Sequence, residues 1–219
     1  MGVDLNMTDR MNLEMAFQRI FVYGSFCQGM VHYDKISKYL VASTPARAQG
    51  SVYRLQVGYP VYLNQGQDWV PGQLMEVEAP EVLFRILDEF HGHSPLQPNK
   101  SLYQKVSVQV TLTDSGDVSW ATTYALNPSK LPRSAQKIEG GDWKRALAER
   151  PSLVESLSAK QLQYIGRLGT STGREIVPID LQLYRELMNL DLIVDKGRRL
   201  ALSSLGKEVY RFLPSRESE

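Results

Sequence analysis

The stretch "RIFVYGSFCQGMVHY", residues 19–33, decides the fold prediction. An unbroken apolar run from Ile20 to Tyr23 predicts a strand that is buried on both faces. The run ends at Gly24 and Ser25, where successive backbone N–H groups have little side chain around them and glycine permits close approach or a positive φ. Such a concavity binds anions. A tight turn from strand to loop, with no ligand, is the alternative interpretation of the same residues.

The bulk composition narrows the class of protein. The 219 residues include 25 Lys+Arg and 24 Asp+Glu. The resulting net charge of +1 is too small to draw the chain to nucleic acid or to an anionic membrane. Cys27 is the single cysteine, which rules out an intrachain disulfide and fits a reducing compartment. No apolar run approaches the ~20 residues of a membrane helix, and residues 1–17 lack the apolar core of a signal peptide. We therefore expect a cytoplasmic protein that begins with a loose arm or a short amphipathic helix.

Strands dominate the first part of the chain. Residues 47–64 predict a strand, a glycine turn and a further apolar segment, and residues 102–126 predict a hairpin around Asp114-Ser115-Gly116-Asp117. Between them, apolar residues at helical spacing predict one amphipathic helix that starts near Pro80 and stops at Gly92. Many strands with one clear helix predict an α+β domain with a closed or strongly curved sheet.

The chain is predicted to divide into a domain over residues 17–150 and a second, winged-helix-like domain over residues 151–214. In the second part, helical patterns at 158–169 and 179–192 are followed by two short strands and a closing helix. Nine Lys+Arg against seven Asp+Glu give this part a net charge of only +2. The composition argues against nucleic acid as its partner, so packing or homo-oligomerisation is the expected role. A DNA-associated metabolite sensor is the alternative.

Several short motifs occur along the chain in a characteristic order. They are "FVYGSF" (21–26), "GYPVYL" (58–63), "VLFRILDEFHG" (82–92), "LYQKVSVQV" (102–110) and "GGDWKR" (140–145). Together they resemble the γ-glutamylcyclotransferase-like (AIG2-like) family over about residues 19–150. The resemblance implies a small, strongly twisted mixed β-barrel that uses neither a metal nor an organic cofactor. It implies a γ-glutamyl compound as the small-molecule partner, which members of the family convert to 5-oxoproline and a free amine.

The reaction of the family is intramolecular, and the resemblance implies roles for particular residues. The α-amine of the substrate attacks its own γ-carbonyl, so the protein must hold the glutamyl carboxylate, deprotonate the α-ammonium and return a proton to the leaving nitrogen. Aromatic residues of the later strands can place a hydroxyl in the cavity, although packing in the core with a partnered hydroxyl is the more common role for such residues. The implied substrate-binding residues are Tyr23, Gly24, Ser25, Phe26, Tyr103 and Tyr124.

The catalytic position departs from the family pattern. The family has a glutamate just before the glycine that ends the helix, and this chain has His91 there. A neutral imidazole, with its usual pKa of ~6.5, can take a proton but supplies no negative charge to pair with the ammonium. We expect a rate loss on the order of 10²–10⁴, the contribution of general base catalysis. Glu89 lies about 200° away around the helix and would replace the missing acid only if the helix ended early. Slow catalysis at His91 or Glu89 and a catalytically silent binding protein are both open.

Overall fold

The computed structural model describes residues 18–171, 176–197 and 199–213. The predicted N-terminal arm lies outside these residues. The chain forms two compact units, one built from residues up to Leu55 together with Tyr59–Ala146, the other from Gln56–Gly58 and the residues from Leu147 onward. No helix in the described part of the chain is both long enough and apolar enough to span a bilayer.

The larger unit is a closed barrel of five strands. The barrel strands are β1 (Arg19–Val22), β2 (Leu40–Arg54), β3 (Pro60–Val77), β4 (Tyr103–Leu112) and β5 (Val118–Leu126). They neighbour one another in the order β3-β1-β5-β4-β2, and β2 also pairs with β3, which closes the ring. Only the β1–β5 pairing is parallel within this ring, through Ile20 opposite Thr122. The predicted α+β fold with a twisted mixed barrel is confirmed. A short strand β6 (Gln136–Ile138) also pairs with β2.

The strands bury different residues on their two faces. All five contribute to one apolar cluster, which must therefore lie inside the barrel; it consists of Phe21, Ala46, Ala48, Leu74, Val108, Val110 and Ala121. A second cluster lies on the outer face, where Ile20 and Val22 pack with apolar side chains of the helix α2 (Pro80–His91). Strand β1 is thus buried on both sides, as its continuous apolar run predicts.

The helix α2 follows the prediction closely. It starts at Pro80 and ends at His91, and Gly92 adopts the left-handed conformation with φ +59°. The Gly92 amide donates to the carbonyl of Glu89, a normal glycine C-cap that satisfies the end of the helix. Leu83, Phe84 and Leu87 form the buried stripe, which fixes the direction of the remaining side chains on the last turn.

The long strands differ from the prediction. The segment 47–64 is predicted to hold a strand, a glycine turn and a further apolar segment, but β2 and β3 extend well beyond it and run for 15 and 18 residues. The glycine turn is found between Arg54 and Pro60. Four residues, 64–67, have no partner in β2, because Gly50 pairs with Asp68 and Ser51 pairs with Leu63. This irregularity lets one long hairpin bend around the barrel.

Further helices flank the barrel strands and build the smaller unit. Asp142 caps the helix that begins at Trp143 by accepting from the Arg145 amide at 3.0 Å. Ser158 and Gln161 form a capping box at the start of the helix that begins at Ala159. The smaller unit has its own buried residues, among them Ile165, Leu187 and Val209. Its identity as a winged helix stays a prediction. The elements are α1 (Asp34–Ser37), α3 (Trp143–Glu149), α4 (Leu153–Ser156), α5 (Ala159–Thr170), α6 (Leu181–Asn189), β7 (Ile193–Asp195), β8 (Leu200–Leu202) and α7 (Ser204–Arg211).

Candidate functional site

A four-residue turn follows β1. The Cys27 amide donates to the Gly24 carbonyl at 2.9 Å, which closes the turn. Neither Ser25 nor Phe26 has a positive φ, and this is compatible with a type I turn but not with type II. Gly24 has no positive φ either, contrary to the conformational freedom that its sequence suggested. A side chain is excluded there by space, because an added Cβ would lie 2.8 Å from Cγ of Pro60.

The two central amides of this turn belong to Ser25 and Phe26. Within the part of the chain that the structure describes, no carbonyl or side chain accepts from the N–H of Ser25 or Phe26. Both residues are buried, at 8% and 6% exposure. The rest of the loop is held in place, since the Ser25 carbonyl accepts from the His32 amide at 2.8 Å and the Gln28 amide donates to Gln73 at 2.7 Å. The turn therefore presents two adjacent donors of the kind that bind a carboxylate.

The end of α2 lies beside this turn. The ring of Phe26 is 5.7 Å from the ring of His91 and 4.8 Å from that of Phe90, measured between centroids. Nδ1 of His91 is 2.8 Å from the Leu87 carbonyl oxygen. A carbonyl can only accept, so in the neutral ring Nδ1 carries the proton and Nε2 carries the lone pair. The imidazole of His91 is thus oriented by its own helix.

Two tyrosines of the barrel enclose the same imidazole. The ring of Tyr124 stacks on His91 at 4.2 Å with an interplanar angle of 7°, and Tyr103 meets it edge-on at 5.0 Å. Their strands are adjacent, with Tyr103 opposite Leu126 and Lys105 opposite Tyr124. The structure therefore brings together four residues that the sequence singled out: Phe26, His91, Tyr103 and Tyr124.

Asp88 contacts one of these rings, and both of its carboxylate oxygens are hydrogen-bonded. The Tyr124 hydroxyl donates to Oδ1 at 2.6 Å, and Nζ of Lys105 donates to Oδ2 at 2.9 Å. Burial, and then the hydrogen bond and charge of Asp88, raise the pKa of Tyr124 well above its ordinary value, so this phenol stays protonated. Sequence reasoning missed Lys105. The sequence shows that Lys105 lies two residues after Tyr103 and therefore on the same face of β4. That Lys105 is opposite Tyr124 depends on the register between β4 and β5, which the sequence does not reveal.

Two predicted residues are not brought into this group. Glu89 is exposed on the solvent side of α2, which runs on past it to His91. Tyr23 is used within the barrel, where its hydroxyl donates to the Tyr124 carbonyl and accepts from the Tyr62 amide, both at 3.2 Å. Burial raises the pKa of Tyr23 well above its ordinary value, in keeping with a protonated structural phenol.

The chemistry open to this arrangement is limited. Across residues 18–171, 176–197 and 199–213, no three metal-ligating side chains of the His, Cys, Asp or Glu type lie together. Burial raises the pKa of the Cys27 thiol to about 11, so it is not a thiolate nucleophile at neutral pH. The site offers the Ser25 and Phe26 amides as hydrogen-bond donors to an anion, together with the imidazole of His91 at the end of α2.

One protein-family model matches more than half of the chain. The family model described as gamma-glutamyl cyclotransferase, AIG2-like, matches residues 20–145. No significant match was found among curated proteins.

Among solved structures, similar proteins include an AIG2-like protein from Mus musculus, at 22% identity over 53% of this chain and 80% of that one, with a TM-score of 0.42. YkqA from Bacillus subtilis is similar at 24% identity over 60% of this chain and 41% of that one, with a TM-score of 0.45. An Arabidopsis thaliana protein is similar at 20% identity over 74% of this chain and 92% of that one, with a TM-score of 0.43.

Proposed function

Because the chain belongs to the AIG2-like gamma-glutamyl cyclotransferase family, we propose that it binds a γ-glutamyl compound or a related small amino-acid-like ligand by its carboxylate. The Ser25 and Phe26 amides are the binding groups. Release of 5-oxoproline from this ligand is slow, because the end of α2 carries an imidazole in place of a carboxylate.

The unused amide pair is the observation that carries the proposal. Buried backbone donors are nearly always hydrogen-bonded in native proteins, so two neighbouring donors without an acceptor among the described residues call for a partner. A carboxylate supplies two acceptor oxygens, and hydrogen bonds to a charged group contribute about 1.5–3 kcal/mol each. The turn is held by Gln73 and by the amide of His32, so little ordering is needed when the ligand binds.

The slow chemistry follows from the charges around His91. Ring closure needs a base for the α-ammonium of the substrate, and a carboxylate there would both attract the ammonium and remove its proton. Asp88 does not fill this role, since Tyr124 and Lys105 occupy its two oxygens. A neutral imidazole at His91 carries no negative charge to pair with the ammonium. Binding is therefore favoured over turnover.

A matched pair of variants at Ser25 tests the binding site. Ser25→Pro removes the N–H, and proline is favoured at this second position of a type I turn, so the turn itself is preserved. Ser25→Ala removes only the hydroxyl and keeps the N–H. Calorimetric titration with L-glutamate, 5-oxoproline and a γ-glutamyl dipeptide is expected to show binding to the wild type and to Ser25→Ala, and about tenfold weaker binding to Ser25→Pro. Equal affinity of all three proteins would refute the proposed site.

A further inference from the structure

A row of four side chains crosses the outer face of the barrel. Trp69 on β3 is opposite Gln49 on β2, and Gln109 on β4 is opposite Trp120 on β5. Strands β2 and β4 are paired through Ala48 and Val110, which point into the barrel, so the next residues on each strand, Gln49 and Gln109, lie side by side on the outer face. The result is the cross-strand order Trp-Gln-Gln-Trp.

This row forms the floor and walls of a cleft of about 390 Å³, within the ~300–1,000 Å³ range of small-molecule sites. Asn64, Ser107 and Thr111 add further polar groups to its lining, and every lining side chain is uncharged. Trp69 is 42% exposed although it is one of the largest apolar side chains in the chain, and the guanidinium of Arg47 lies 4.6 Å from its ring centre. None of these residues belongs to the site around Ser25 and His91.

The two glutamines have hydrogen-bonding capacity that the barrel does not use. Both are exposed, and no side-chain amide bond of Gln49 or Gln109 is formed with any described residue. Each amide offers two donors and an acceptor with two lone pairs. Paired donors and acceptors between two aromatic walls match a ligand that has many hydroxyls and an apolar face.

We propose that this cleft binds a neutral saccharide. The C–H face of a pyranose ring packs on the indole of Trp120, and its hydroxyls exchange hydrogen bonds with the amides of Gln49 and Gln109. All lining side chains are uncharged, and Arg47, the cation that borders the cleft, is stacked on Trp69. A phosphate or carboxylate would therefore have no charged partner among the lining residues themselves. A purely apolar partner is also disfavoured, because it would cover the amides of Gln49 and Gln109 without hydrogen-bonding to them.

Intrinsic fluorescence offers a direct assay. Two of the three tryptophans line the cleft, and the third, Trp143, is only 2% exposed. Maltose, cellobiose and N-acetylglucosamine are the probes, each titrated into the tens of millimolar, with adenosine as a flat ligand that stacks without hexose hydroxyls. At least one saccharide is expected to protect the tryptophans from acrylamide quenching in a saturable way.

Variants in the row assign the binding to the cleft. Gln109→Ala is expected to weaken the saccharide about fivefold and Trp120→Ala about tenfold. Gln67→Ala is the matched control, because Gln67 is exposed on β3 but does not line the cleft. Thermal unfolding confirms that each variant is folded. The proposal is overturned if no saccharide binds, if adenosine alone binds, or if Gln109→Ala and Gln67→Ala have the same effect.

Discussion

Introducing a carboxylate at the end of α2 by His91→Glu tests the proposal that ring closure is slow because this charge is missing. The substitution has a cost in stability. It removes the stack of His91 on Tyr124, a type of aromatic contact that contributes about 0.5–1.5 kcal/mol. It also places a negative charge three residues after Asp88, at about 0.2–0.5 kcal/mol, and at the negative end of the helix dipole, at about 0.3–1 kcal/mol.

Together these effects lower the free energy of unfolding by about 1–3 kcal/mol. A domain is typically stable by about 5–15 kcal/mol, so the His91→Glu variant is expected to remain folded. His91→Gln is the matched control, because it loses the same stack without gaining a charge. The difference between the two variants isolates the carboxylate.

The assay is release of 5-oxoproline from γ-glutamyl amines and dipeptides, measured at neutral pH on the wild type and both variants. A carboxylate that accepts the proton of the α-ammonium is expected to raise the rate of His91→Glu on the order of 10²–10⁴ above that of His91→Gln. If both variants are folded and release 5-oxoproline equally slowly, the missing charge at position 91 is not what limits the reaction, and the reasoning fails.

Three further results are expected, each with its own measurement. Gly24→Ala should lower the free energy of unfolding in urea by about 1–3 kcal/mol, because the new methyl would lie 2.8 Å from Pro60; a change below about 0.5 kcal/mol would show that the loop simply moves away. Tyr124→Phe should lower it by about 1.5–3 kcal/mol through the lost hydrogen bond to Asp88, and unchanged stability would mean that the bond is not formed in solution. Burial lowers the pKa of His32 from 6.5 to about 4, so the unfolded chain takes up a proton between these values that the folded protein does not. Stability is therefore expected to fall by up to about 3 kcal/mol as the pH drops from 6.5 to 4, and the loss should be smaller in His32→Phe; identical pH profiles would contradict the assignment.

Local patterns were enough to predict some of the fold. The helix from Pro80 to His91 was predictable because proline, an apolar stripe and a terminal glycine are signals within one short segment. The double burial of β1 followed from its continuous apolar run. The full length of β2 and β3 was not predictable, since Gly50 and Pro71 read as breaks within segments that the barrel keeps extended.

The candidate site was predictable only in part for the same reason. The turn at Gly24 and the replacement at His91 are visible in the sequence. The contact of Asp88 with Lys105 and Tyr124 depends on the register between two strands and on how α2 packs against them, and neither is encoded in a local motif. Tyr23 is predicted to bind substrate but forms hydrogen bonds inside the barrel instead. This likewise depends on which face of β1 the barrel encloses.

The central proposal is that the turn after β1 binds a carboxylate through the amides of Ser25 and Phe26. An NMR titration of the backbone amides tests it most directly. With L-glutamate or 5-oxoproline as the probe, the amide protons of Ser25 and Phe26 are expected to shift downfield, saturably and by more than other assigned amides, as hydrogen bonds to a charged oxygen form. Titration curves in which these two resonances stay fixed while the ligand binds elsewhere, or in which no resonance moves, would contradict it.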